Sequence, residues 1–276
     1  MSPRPASERA PHRPRLVRPS LLALIALLGA APPVAATAQQ LDGDMVALHD
    51  RCVALARNNP KEALDKASAW KAQGGGFGAD HCIAMALFEM GDFRKAATRF
   101  EELATRMMQM PAAHRAQTLD QAGQSWLDAD EPQRAQADFD AAIALAGEDP
   151  DLLIDRAEAF AQEKRYWEAL DDLNRTIELA PKRADAYIYR GSAYRALDSL
   201  DLALEDIERG LKLAPDNVLG LLERGNLHRL KGETAAAKRD WLRVTELDPN
   251  SRAAAAAKAN LAKLDEKPAG TKKNKK

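Results

Sequence analysis

The sequence predicts an all-α fold, a solenoid of stacked antiparallel helix hairpins, and three observations predict it. Ala135, Ala169, Ala203 and Ala237 recur at a strict interval of 34 residues. Twelve positions upstream of each stands a small residue (Gly123, Ala157, Gly191, Gly225), with Trp126, Phe160, Tyr194 and His228 three residues after that. Phe139, Leu173, Ile207 and Trp241 form a second bulky row, and Pro181, Pro215 and Pro249 close three of the units. A fixed period of this length marks repeated helical hairpins, because one hairpin cannot bury its own apolar face and the next one covers it.

The rows follow from helix geometry. Antiparallel helices approach closely only where side chains are small. The bulky rows lie three or four residues from the small ones, so they share a helix face and fill the space beside the contact. Proline cannot continue a helix, so the three prolines mark helix ends, with Arg183, Asn217 and Asn250 in the turns that follow.

Segments such as YIYRGSAYRALDSLDLALEDIERGLKLAPDN (187–217) and LIDRAEAFAQEKRYWEALDDLNRTIELAPKR (153–183) resemble the tetratricopeptide repeat. Four units, 116–149, 150–183, 184–217 and 218–251, carry the pattern, with Gly147 in place of the first closing proline and His228 in an aromatic position. A fifth, 77–110, keeps Ala84, Leu87, Gly91, Ala96 and Phe100 but then loses phase by five residues, which reads as a longer second helix or a looser joint. The stretch 39–76 reads as a degenerate hairpin broken at Asn58-Asn59-Pro60, and Gly74-Gly75-Gly76 as the turn that ends it. Residues 252–266 read as a capping helix, started by Asn250 or Ser251.

The resemblance implies a right-handed superhelix whose first helices line a concave groove for a protein or peptide partner. Carried onto this chain, the groove rows hold Asp120, Ile154, Ile188 and Leu222, then Gln124, Glu158, Ser192 and Asn226 one turn later, with Arg195 and Arg229 beyond. The lysine and asparagine set with which the family's peptide readers hold a C-terminal carboxylate is missing. Two readings stay open for the aliphatic row: an apolar strip of the groove flanked by arginines that select acidic neighbours, or packing between hairpins. Arg156, Arg190 and Arg224 also repeat at 34 and read as structural, stems along the helix and heads bonded between hairpins.

The first 38 residues have the layout of a secretory signal peptide: Arg13, Arg15 and Arg18, the apolar run LLALIALLGA, two prolines, and Ala36-Thr37-Ala38 before Gln39. The run is shorter than the roughly 20 residues a spanning helix needs, so no membrane span is expected to remain after cleavage. The expected location is therefore periplasmic or secreted.

Cleavage would leave 35 basic and 40 acidic residues. Five lysines fall in the last ten residues, 267–276, a composition that reads as a disordered tail. The array ahead of it is acidic, which disfavours nucleic-acid binding, since a phosphate footprint needs clustered basic charge.

Cys52 and Cys82 lie in the first helices of successive hairpins, 30 residues apart. In an exported chain they suit a disulfide that staples the weakest unit; the other reading is two buried thiols. His49 and His81 stand beside them, but neighbouring helical residues point about 100° apart, which disfavours a shared metal ion. No nucleophile with a base and no paired carboxylates in a defined motif rise from the sequence. The expected function is an exported, cofactor-free, non-enzymatic scaffold of cell-envelope assembly or secretion. The alternatives are a noncatalytic subunit of an envelope enzyme complex, or a glycan- or lipid-associated protein acting through the lysine tail.

Overall fold

The computed structural model describes residues 33–265, with side chains over 45–264. The arginine-bearing leader with its apolar run, and the lysine-rich tail 267–276, lie outside the described residues; Ala36-Thr37-Ala38 falls in the first turns of the first helix. Among the described residues there are thirteen helices and no strand, so the chain is all-α. None of these helices is long and apolar enough to cross a membrane.

The helices gather into two compact units that divide between Ala159 and Phe160. The first holds α1 (Pro33–Asn58), α2 (Pro60–Ala72), α3 (Gly76–Glu89), α4 (Phe93–Arg106), α5 (Ala112–Asp128), α6 (Pro132–Ala146) and most of α7 (Pro150–Gln162). The second holds α8 (Tyr166–Leu179), α9 (Ala184–Ala196), α10 (Leu200–Leu213), α11 (Val218–Leu230), α12 (Thr234–Leu247) and α13 (Arg252–Asp265).

Within a hairpin the small row meets the second bulky row across the contact. A Cβ on Gly123 would sit 2.6 Å from the Phe139 ring, one on Gly191 2.8 Å from Ile207, and one on Gly225 2.5 Å from the Trp241 indole. The four alanines of the 34-residue row are fully buried, as are Phe139, Ile207 and Trp241. Small residues here therefore make room for a large side chain rather than for another small one.

The turn inside each hairpin has its own period. Gly91, Asp130, Lys164, Asp198 and Gly232 all have positive φ, between 59° and 81°. The residue after each returns its N–H to a carbonyl five residues back, as Glu131 does to Trp126 and Ser199 to Tyr194, which satisfies a carbonyl at the helix end. The turns between hairpins use another device. Ala180 and Ala214 precede Pro181 and Pro215, and their backbone (φ −137°, ψ 71° and φ −139°, ψ 83°) lies outside the helical region, which a following proline disfavours. Gly147, at φ 84°, does the same work where the proline is missing.

The lost phase after residue 110 is not absorbed by a longer α4, which ends at Arg106. It enters the turn before Pro111 and an extra turn at the start of α5, which runs 17 residues against 13 in α9 and α11. Before α2, Asn59 Oδ1 accepts from the Glu62 N–H while Glu62 Oε2 accepts from Asn59 Nδ2 at 2.8 Å, a reciprocal cap beside Pro60. The glycine cluster is a turn with a packing reason as well: a Cβ on Gly75 or Gly78 would lie 2.7 Å from the Trp70 indole.

Candidate functional site

The first-helix surface is where the sequence places a groove, and the structure divides its rows sharply. Ile154 is 1% exposed and Ile188 is not exposed at all; Leu222 is 6% exposed. Ile188 sits in a core cluster with Leu211, Leu221 and Trp241. Burial of this kind leaves no apolar strip for a partner, so the groove reading of Ile154, Ile188 and Leu222 is corrected to packing. Their spacing is a helix-face spacing, and the face they share is the one that the neighbouring helices cover.

The row one turn later is polar. Gln124, Glu158 and Ser192 are half-buried. Gln124 Nε2 donates to Asp120 Oδ2 at 2.6 Å and to Asp155 Oδ2 at 3.5 Å, so one amide bridges α5 and α7. The Ser192 hydroxyl donates back to the Ile188 carbonyl at 3.1 Å, which spends it on its own helix. Asn226 is 5% exposed, and its Oδ1 accepts from Asn260 Nδ2 at 3.0 Å. Asn260 stands 34 residues further on, in α13, so the last helix continues the first-helix row and closes over this position. Asn226 therefore leaves the candidate surface too.

The two arginines part company. Arg195 closes on the buried Glu223 carboxylate of α11, Nε to Oε2 at 2.6 Å and Nη2 to Oε1 at 3.3 Å. Arg229 is exposed. The assignment of both as selectors of acidic flanks is corrected accordingly: Arg195 is a strut, and Arg229 alone presents its charge outward.

The 34-residue arginine row is a strut system as expected, with one addition. Arg190 makes a bidentate pair with Asp206 of its own hairpin (2.6 and 2.8 Å) and reaches back to Asn174 of α8 at 2.8 Å. Arg224 pairs in the same way with Asp240 (2.8 and 2.7 Å). Arg156 reaches back to Asp140 at 2.7 Å. The bonds lie within hairpins as well as between them. In the second unit Glu208, Arg224, His228, Ala236, Arg239 and Asp240 line a polar recess of about 160 Å³, where Arg224 and Asp240 are already paired and Glu233 takes His228 at 2.6 Å.

Cys52 and Cys82 are joined in a disulfide, with Cα atoms 6.0 Å apart, linking α1 to α3. Beside it His49 Nε2 and His81 Nδ1 share a hydrogen bond of 3.0 Å, and His81 Nε2 meets Gln121 Oε1 of α5 at 2.8 Å. Burial, with His49 adding to it, pushes the His81 imidazole down to about 4, so the ring stays neutral in this chain of bonds. No group of three or more metal-binding side chains occurs among the described residues. On α2 and α4, Lys71 (2.6 Å) and Arg106 (2.5 Å) grip Asp80 of α3. Burial alone would raise that carboxyl, but the two cations outweigh it and hold it below its ordinary range.

One exposed side chain was not singled out by the pattern. Trp167, in the first turn of α8, is 68% exposed. Its row holds Gln133, Asp201 and Ala235 in the other units, so no periodic signal points to it.

Comparison with known proteins adds to this geometry. The tetratricopeptide repeat family matches residues 121–184, 165–218 and 188–252. No curated protein matches the chain. Among solved structures, TTC0263, a thermophilic TPR protein of Thermus thermophilus, superposes with a TM-score of 0.57 at 18% identity, over 67% of this chain and 100% of that one. MamA from Desulfovibrio magneticus RS-1 (41-end) does so with a TM-score of 0.50 at 22% identity, over 67% of this chain and 96% of that one. Identities of this size speak for the fold. Residues 121–252, a little under half of the chain, thus carry repeats that match the tetratricopeptide-repeat family, and the solved structures share their fold.

Proposed function

We propose that this protein is an exported, non-catalytic scaffold that holds a segment of another protein on its first-helix surface, in assembly or secretion at a cell envelope. The observation that carries the reading is the division of that surface. In the first unit the buried Ile154 stands one turn before the half-buried Glu158, and in the second the buried Ile188 and Leu222 stand beside the half-buried Ser192 and the exposed Arg229. A rigid, packed base under accessible polar groups suits recognition of a polar or charged segment, where charge complementarity selects the partner more than buried area does.

Export is supported by the leader-like first 38 residues and by the Cys52–Cys82 disulfide, since disulfides persist in oxidising compartments. Mass spectrometry of the mature protein's N-terminal peptide should find Gln39 first; Met1 retained in a membrane-embedded protein would contradict export.

Binding is tested with the Arg229→Glu variant, at an exposed position of the second unit. Affinity capture from an extract of the source cell's envelope should recover a protein with the wild-type chain and lose it with the variant, at an unchanged melting temperature. Equal recovery by both would refute the first-helix surface as the docking site.

A further inference from the structure

An aspartate recurs along the second helices at the hairpin interval: Asp138, Asp172, Asp206 and Asp240, each at most 8% exposed. Sixteen residues before the last three stand Arg156, Arg190 and Arg224. Arg190 and Arg224 each close bidentately on the aspartate of their own hairpin, at 2.6 to 2.8 Å. Sixteen residues before Asp138 stands Ala122, fully buried and with no cation to offer. Asp138 is thus a rung of this ladder whose arginine is missing, and its Oδ2 is buried without a hydrogen-bond partner.

The charges around it do not replace that arginine. Glu101 on α4 faces it and repels a second negative charge. Glu101 is itself held in place, accepting from the Trp126 indole N–H of α5 at 2.7 Å. Arg134, one turn back on α6, lies over the Trp126 ring at 3.4 Å and approaches Glu101 and Glu131 at 3.6 Å each, so its charge is divided among three neighbours. Arg156, on α7, gives a hydrogen bond to Asp140 rather than to Asp138. A carboxylate in this place would be a buried charge beside a like charge, a costly arrangement that a bound proton removes.

We propose that Asp138 is a proton-sensitive joint of the α5/α6 hairpin: the protonated carboxyl is the packed form, and loss of its proton loosens α6 against α5 and Glu101. Burial foremost, then Glu101, push this carboxyl up to about 7 against the pull of Arg134, in keeping with the geometry. The sign follows from proton counting. Between the ordinary carboxylate pKa of about 4 and a folded value near 7, the folded chain keeps a proton that the unfolded chain has lost. Stability from this site is therefore fully present below about pH 4, declines as pH rises across that window, and levels off above it. A protein of this design stiffens its middle hairpin when its surroundings turn mildly acidic.

The test reads the carboxyl directly and through the fold. A ¹³C NMR titration of the whole chain should show the Asp138 carboxyl with a midpoint near neutrality; a midpoint in the ordinary range near pH 4 overturns the proposal. The melting temperature of the wild type should fall between about pH 5 and 7.5, and Asp138→Asn should flatten that fall, since asparagine does not titrate. An equal slope in wild type and variant overturns it as well. Should Asp138→Asn fail to fold, the wild-type titration alone decides.

Discussion

Arg195 on α9 and Glu223 on α11 lie 28 residues apart in sequence and 2.6 Å apart in space, with the glutamate side chain 8% exposed and the arginine side chain 25%. The pair ties one first helix to the next, on the surface where a partner would lie. A buried carboxylate stripped of its cation loses far more than an exposed one. Arg195→Ala should therefore lower stability by about 2–4 kcal/mol, read from denaturant melts. A variant as stable as the wild type would return Arg195 to the list of free selectors.

Ile188→Ser puts a hydroxyl where no surface is exposed, in the cluster with Leu211, Leu221 and Trp241. Truncation of a buried branched side chain costs about 2–5 kcal/mol. The melting temperature should drop accordingly, whether or not a partner is present. Loss of binding at an unchanged melting temperature would restore this position to the groove.

Gly123→Ala tests the contact between the small and bulky rows. Its new Cβ would press into Phe139, which is fully buried and has nowhere to retreat. Overpacking of this sort costs about 1–3 kcal/mol, and the loss should be visible in thermal unfolding. The same methyl group added at Gly91, where nothing lies within 4 Å, acts through backbone strain alone, because φ there is 80°.

Lys164→Gly works in the opposite direction. Lys164 holds φ 62° in the turn after α7, a conformation that L residues adopt at a cost. Glycine in the same place is freer in the unfolded chain, which takes back about 0.5–1 kcal/mol. The balance should still raise the melting temperature slightly. A decrease would mean that the lysine side chain contributes more than the strain costs.

The hairpins were legible in the sequence because their signals are short-range and repeated: a small residue, a bulky one three positions on, and a proline at the end. What the pattern could not decide is which apolar row faces a neighbour and which faces outward. Ile154, Ile188 and Leu222 keep helix-face spacing in either case, and only the packing of the following helix distinguishes them. Arg195 could not be told from Arg229, because the partner Glu223 belongs to the next hairpin. The left-handed turns at Asp130, Lys164 and Asp198 were hidden for a different reason, since they lack the glycine that marks Gly91 and Gly232. The missing rung at Ala122 was visible in principle, once the aspartate row is aligned with the arginine row.

In the proposed function a protein partner lies along the first helices. Hydrogen-exchange mass spectrometry of the complex with the captured partner measures this directly, peptide by peptide. Exchange should slow at α5, α7, α9 and α11, most around Gln124, Glu158 and Arg229, with little change in α6, α8, α10 and α12. Protection centred instead on the second helices, above all around the exposed Trp167 of α8, with the first helices unchanged, would contradict it.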